Sequence, residues 1–302
     1  MTNFLQLSGV YAAALTPLNP DFSPAADQLP LLLDFLAQRG CQGVLLLGTT
    51  GEGPSFSPAE RAALLRAAQE ARQFHPGFRL LAGTGTPSVD ETVELTRTAF
   101  ELGMDGVVVL PPYYYRKVSD DGLFAWFSQV LQRAVPSGSP LLGYHIPSVS
   151  GVPLSLELLA RLKDAFPDRF AGIKDSSGDA EHARRLGECF GKDLLILNGN
   201  DRLLQHALQN QASGCITALA NLRSPDLRQV WDAYQRGDNQ AAAQSRLETA
   251  RALLDRYPPA PPLLKALLAR QFQFPRWSVR PPLLPLPAEV EAQAAAEFEA
   301  IH

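Results

Sequence analysis

Cysteine is scarce in this 302-residue chain: Cys41, Cys189 and Cys215 are far apart and odd in number. That excludes a disulfide framework and the paired spacings of a zinc site, and the three read as small buried hydrophobes of a reducing compartment. Histidine is sparse too, with five scattered residues and no His-Glu-x-x-His pattern. No Lys/Arg block or basic stripe occurs, and the formal net charge is −4. Neither nucleic acid nor an anionic membrane is therefore expected as a partner. No apolar run approaches the ~20 residues that span a bilayer. Residues 1–7 lack the basic start and apolar core of a secretory signal, so a soluble cytoplasmic protein is expected. What the chain does have is apolar content, 46%, enough for a sizeable core in one large domain or two smaller ones.

That content is distributed regularly. Short β-rich apolar runs at residues 10–15, 44–47, 80–83, 107–110, 141–145, 170–174, 194–198 and 215–218 alternate with longer amphipathic segments. Runs apolar on both faces are expected of parallel strands covered by helices. Ser57-Pro58-Ala59-Glu60 sets a cap before a first-turn proline, with Glu60 placed to complete a capping box. Ser88 and Ser155 open later helices similarly, and Gly40, Gly103 and Gly187 stand where left-handed C-terminal caps are wanted. Eight β-then-α units predict an α/β fold, a closed (β/α)8 TIM barrel, for which ~250 residues is usual. An open doubly wound sheet is the runner-up, but it normally carries a dinucleotide glycine loop after its first strand, where this chain has Leu15-Thr16-Pro17. Helices are expected at 226–235, 239–256, 262–271 and 288–301, separated by Pro-rich stretches. The expected organisation is a catalytic barrel over 1–224 and a helical extension over 225–302 packed on it.

Chemistry in such a barrel sits at the C-terminal strand ends. The second strand runs into Gly48-Thr49-Thr50-Gly51-Glu52-Gly53, a tight turn with backbone N–H groups suited to a carboxylate. On that segment alone, an ordinary glycine turn is the stronger reading. After the fourth strand come Tyr113, Tyr114 and Tyr115, which by themselves mean packing or a subunit contact. The fifth ends in Tyr144-His145-Ile146-Pro147, and alternation turns Tyr144 into the barrel mouth and His145 away. His145 alone reads as a packed or hydrogen-bonded histidine.

The sixth strand carries the sharpest signal, because Lys174 ends an apolar run and lysine is rarely fully buried. Phe170, Gly172 and Lys174 are expected on one face, with Gly172 leaving room beside the lysine. The competing reading is a strand-end lysine paired with Asp175 or snorkelling to water. Adjacent strand residues face opposite ways, so Asp175 is a poor partner and the functional reading leads. A desolvated amine is partly neutral near pH 7, as a nucleophile attacking a ketone must be.

Together the GTTGE at Gly48 to Glu52, the YHIP at Tyr144 to Pro147 and the GIKDSSGD at Gly172 to Asp179 resemble the N-acetylneuraminate lyase/dihydrodipicolinate synthase superfamily of pyruvate-dependent class I aldolases. The resemblance runs over nearly the whole chain. It implies that Lys174 forms a Schiff base with a 2-keto acid such as pyruvate, a covalent imine that needs no cofactor or metal. It implies that Tyr144 shuttles protons, with Thr49 as its hydrogen-bonding relay. Thr50, with Gly48 in the same turn, holds the keto-acid carboxylate, and Gly199 and Ile216 line the pocket through backbone groups. Tyr114 matches a relay tyrosine that enters a neighbouring subunit's site, in a homotetramer built as a dimer of dimers. The loop after Tyr114 is one residue longer than the family's, which leaves the pairing of the three tyrosines open.

One departure bears on substrate. Synthases of the family carry an arginine for the second substrate's carboxylate where this chain has Val149. The expected activity is therefore an aldolase or lyase on a 2-keto-3-deoxy sugar acid or 4-hydroxy-2-oxoglutarate. Dihydrodipicolinate synthase (4-hydroxy-tetrahydrodipicolinate synthase), N-acetylneuraminate lyase and a dehydratase are alternatives. A silent barrel that only binds a keto acid is the alternative of another class, and a pure binder has no use for the Lys174 nucleophile.

Overall fold

A strand that is to be covered on both faces must be largely apolar, and the strand segments of this chain are, with their polar residues at the strand ends. The computed structural model describes residues 4–239 and 241–301. Its strands are β1 (Gly9–Ala13), β2 (Gly43–Leu46), β3 (Arg79–Gly83), β4 (Gly106–Val109), β5 (Leu141–His145), β6 (Phe170–Asp175), β7 (Leu195–Asn198) and β8 (Gly214–Thr217). They follow one another in chain order around a closed barrel, and every residue of them is buried except the two ends of β3. The structure is thus a (β/α)8 barrel, as the eightfold alternation predicts. Each strand overlaps its expected run to within two residues. β1, β2, β4 and β8 start one residue early, on a glycine just outside the expected run. The reason at β8 is close backbone approach: a Cβ on Gly214 would lie 2.0 Å from the Gly9 carbonyl oxygen.

The helix starts are set by local chemistry. Ser57 and Glu60 form the reciprocal capping box before Pro58–Ala68, and the Ser88 and Ser155 side chains accept from the N–H groups of Glu91 and Leu158. Gly40 and Gly103 take the positive φ of helix ends, 96° and 75°. Gly187 does not. It lies inside the helix Ala180–Phe190, where a Cβ would stand 2.0 Å from the Asn210 carbonyl oxygen, and Gly191 with φ 50° follows that helix instead. The expected cap is a close helix–loop contact.

By compactness the chain divides into two units, Met1–Gly9 with Arg79–Ile216 and Val10–Phe78 with Thr217–His302. In the first unit the order of β3 to β7 is parallel throughout, and β5 and β6 pair Tyr144 with Lys174 and His145 with Asp175. Their register shifts once, so that Leu141 faces Phe170 while Leu142 faces Gly172. The shift takes Phe170 off the Lys174 face: its ring lies 3.9 Å from where a Cβ on Gly143 would be, opposite Tyr144. Gly172 also differs from expectation, since its missing Cβ would meet the Leu195 backbone at 2.0 Å and leaves no room beside the lysine.

The second unit holds β1, β2 and the helices Leu29–Gln38 and Pro58–Ala68. Its later part folds into Ala220–Arg236, Ala241–Arg256, Ala260–Phe272 and Ala288–Glu299, close to the four C-terminal helices expected. The first of these starts six residues earlier than expected, breaks at Arg223 and passes through Pro225. Gln240, inside the expected 239–256 helix, lies outside the described residues. No helix among the described residues is long and apolar enough to cross a membrane.

Candidate active site

Alternation along β5 and β6 puts Tyr144 and Lys174 on one face, and direct pairing of their Cα atoms makes them neighbours. Lys174 Nζ stands 4.1 Å from the centre of the Tyr144 ring, with the two residues 3% and 6% exposed. Among the described residues, no carboxylate pairs with the Lys174 amine. Asp175 faces the other way, with one carboxylate oxygen accepting from the Ser177 N–H at 3.0 Å. Lysine is rarely fully buried, and one buried without a carboxylate partner at the C-terminal end of a barrel strand marks a functional candidate.

On the opposite face, His145, Asp175 and His182 bring nitrogen and oxygen atoms within 4.8 Å of one another. The two imidazoles stack at 4.6 Å, and the Leu154 N–H donates to His145 Nδ1 at 3.0 Å. That bond fixes the neutral tautomer: the proton of His145 sits on Nε2, opposite to what a metal at that nitrogen requires. Burial pulls the imidazole down to about 4, opposed by the Asp175 charge. His145 is a hydrogen-bonded residue that ties the segment after β5 back to the strand, in line with the plainer reading of it.

Beyond β7, the Gly199 N–H donates to the Asp175 carbonyl at 2.6 Å, and a Cβ there would stand 1.9 Å from Ser176 Oγ. Ile216 is fully buried in β8. The loop after β4 does not bring Tyr114 to Lys174. Tyr114 and Tyr115 are 77% and 74% exposed and stack edge to face at 5.2 Å, while Tyr113 is half-buried. Val149 is exposed in the short turn Pro147–Ser150, which ends at Gly151 with φ 68°.

In the second unit, the turn after β2 is shaped by two left-handed residues, Leu47 and Glu52, each with φ 56°. Glu52 N–H donates to the Thr49 carbonyl and Gly53 N–H to that of Gly48. Gly51 and Gly53 are required by crowding, since their Cβ atoms would lie 2.7 Å from the Ala14 carbonyl oxygen and 1.9 Å from that of Leu47. Thr16 Oγ1 donates to the Gly51 carbonyl, and the Arg61 guanidinium to those of Gly53 and Phe56. Thr49 is exposed and Thr50 buried. Among the described residues, the backbone N–H groups of Thr49 and Thr50 donate to no protein acceptor. The turn is therefore a preformed pair of donors suited to an anion.

Two residues with no role in the sequence analysis, Lys265 and Asn221, brace this turn and the end of β1 respectively. Glu52 pairs with Lys265, and Asn221 bridges the Leu15 N–H and the Ala13 carbonyl at the end of β1. Lys265 had a visible signal, a lysine inside the apolar run Leu263-Leu264-Lys265-Ala266-Leu267-Leu268.

A closed eight-stranded parallel barrel, with a buried lysine against a tyrosine at the ends of β5 and β6, defines the class of TIM-barrel enzymes. The model of the dihydrodipicolinate synthetase family matches residues 6–301, and the chain belongs to that family. Its members are class I pyruvate-dependent lyases, and this chain is an enzyme of that class. An uncharacterized DapA-like lyase of Chloroflexus aurantiacus is 41% identical over 295 residues, 97% of this chain and 96% of that protein. Dihydrodipicolinate synthase of Agrobacterium tumefaciens superposes with a TM-score of 0.86 at 33% identity, over 97% of this chain and 99% of that one. YagE from E. coli K12, of the dihydrodipicolinic acid synthase family and solved in complex with pyruvate, gives 0.90 at 26% identity and 98% of each chain.

Proposed function

We propose that this chain is a Schiff-base aldolase or lyase for a pyruvate-type 2-keto acid, with Lys174 as nucleophile. The carrying observation is a buried Lys174 that lies against the Tyr144 ring and has no carboxylate partner among the described residues. The Lys174 amine adds to the ketone carbon, and loss of water gives an iminium ion. In the cleavage direction, the C3–C4 bond breaks and its electron pair passes into the iminium, leaving an enamine. The C4 hydroxyl gives up its proton, and an aldehyde departs. Protonation at C3 and hydrolysis then release the keto acid and restore the amine. Tyr144 carries these protons, with Thr49 as relay. The carboxylate goes to the Thr50 N–H in the Gly48 turn, and backbone groups of Gly199 and Ile216 line the pocket. The iminium serves as the electron sink, so the reaction needs no separate cofactor.

Val149 favours substrates without a second carboxylate at the usual place, and a 2-keto-3-deoxy sugar acid leads; 4-hydroxy-2-oxoglutarate stands beside it, its second carboxylate needing a partner other than residue 149. Dihydrodipicolinate synthase is the second reading, favoured by the name of the Agrobacterium tumefaciens relative. Tyr114 serves a neighbouring copy in a homotetramer, and three cysteines without a disulfide suit the cytoplasm. Borohydride reduction with pyruvate, followed by intact mass, tests the chemistry. A single adduct that disappears in Lys174→Ala is expected; an adduct that survives, or none in the wild type, refutes it. Pyruvate release from a panel of sugar acids, sialic acid and hydroxyoxoglutarate then assigns the second product.

A further inference from the structure

The turn that carries Thr49 and Thr50 is held from behind by a part of the chain more than 200 residues away. Glu52 and Lys265 form an ion pair at 2.5 Å with both side chains fully buried. Lys265 Nζ also donates to the Ser278 carbonyl at 2.6 Å, and the Arg280 N–H donates to the second Glu52 carboxylate oxygen at 2.9 Å. The Arg280 side chain completes the grip, donating to the Ser55 carbonyl at 2.6 Å and pairing with Glu60 at 2.8 Å.

Two features ask for a reason. A non-glycine residue in the left-handed region is conformationally unfavourable, so Glu52 holds φ 56° only because its surroundings over-determine it. A buried ion pair, in turn, adds little net stability over an apolar pair of equal volume, because both charges are desolvated. What it does supply is direction. Both Glu52 oxygens are satisfied with its backbone in the left-handed conformation. In this turn the Glu52 N–H donates to the Thr49 carbonyl, and among the described residues the Thr49 and Thr50 N–H groups are left unused.

We infer that Glu52 and Lys265 are positioning residues that hold the Thr49–Thr50 turn in the shape that receives the keto-acid carboxylate. The segment from Ala260 to Arg280 is thereby part of the carboxylate site, although no atom of it need touch substrate. The inference rests on the proposed Schiff-base function, and its test separates the two.

Lys265→Met keeps the volume and removes the charge; Glu52→Gln is the milder variant should Lys265→Met fail to fold. Borohydride trapping is titrated with pyruvate and, separately, with acetone, which has no carboxylate. In a folded variant, the pyruvate concentration for half-trapping rises about tenfold or more, as for loss of a charge-assisted hydrogen bond. The acetone concentration changes by less than about threefold. A parallel rise for both ketones, or no rise for pyruvate, overturns the inference. Hydrogen exchange of residues 48–53 gives a reading independent of chemistry: the variant should speed exchange there, and unchanged exchange overturns the inference even if the wild type traps no pyruvate. Failure of the functional reading alone appears as absent wild-type trapping with the exchange effect intact.

Discussion

Lys174 and Tyr144 are direct cross-strand partners, with the lysine nitrogen 4.1 Å from the centre of the phenol ring. The ring face offers a buried amine partial compensation without neutralising it as a carboxylate would. Under the proposed mechanism, Tyr144→Phe keeps that face and removes only the hydroxyl. Imine trapping with pyruvate should therefore survive, while turnover falls by roughly 10²- to 10⁴-fold, the usual worth of a positioned proton donor. Loss of trapping together with turnover would assign Tyr144 a role in binding instead.

The same pair predicts a stability effect of opposite sign. A buried lysine without a counter-ion is a burden on the fold, and replacement by an apolar residue of similar volume relieves it. Lys174→Met should raise the melting temperature by a few degrees while abolishing trapping. Calorimetry on both proteins checks this, and a lowered midpoint contradicts the account of Lys174 as a buried amine kept at a cost to stability.

Burial holds His145 at about 4, below the ordinary 6.5, and its Nδ1 must stay unprotonated to accept from Leu154. Asp175, Asp179 and His182 are the charged groups that bear on it. The sign follows from linkage: the unfolded chain takes up a proton between pH 6.5 and about 4 that the folded chain refuses. The stabilising contribution is complete above pH 6.5 and lost on acidification through about 4, a change of roughly 3 kcal/mol at full effect. Denaturant unfolding of the wild type should weaken across that window, and His145→Gln should flatten the dependence. Equal slopes in both proteins would refute the assignment.

What the sequence makes legible is what acts locally or with a short period. The Ser57 cap, the strand runs and the Tyr144 and Lys174 faces each follow from a few consecutive residues, and the structure reproduces them. Long-range partners leave a fainter trace. Glu52 and Lys265 are 213 residues apart, and nothing in either neighbourhood names the other. The register shift in β6 that turns Phe170 outward is invisible to an alternation rule that assumes no bulge. Gly187 misleads for a related reason: a glycine required by a neighbouring backbone has the same letter as one required by its own φ.

That distinction at Gly187 is measurable. A methyl at this position would press on the Asn210 carbonyl at 2.0 Å, and both partners are backbone or helix-bound, so neither gives easily. Gly187→Ala should cost about 1–3 kcal/mol, the range for overpacking, despite alanine's better helix propensity. At Gly77 an added Cβ meets nothing within 4 Å, and Gly77→Ala serves as the control with little change. Chemical denaturation of the two variants side by side decides; a stabilised Gly187→Ala would contradict the close contact.

Val149 concentrates the question of substrate. It is 55% exposed in the turn after β5, so an arginine there adds a guanidinium at little structural cost, within about 0.5 kcal/mol as for other surface changes. If the missing cation is what excludes a carboxylate-bearing second substrate, Val149→Arg should raise kcat/KM with aspartate semialdehyde plus pyruvate. It should leave pyruvate trapping unchanged, because the keto-acid half of the reaction does not depend on this residue. The comparison is informative in both directions. Ordinary synthase rates in the wild type would remove the argument from Val149 and favour the synthase reading. A silent Val149→Arg with intact trapping would mean that more than one position separates this chain from the synthases, and that its second substrate is selected elsewhere in the mouth.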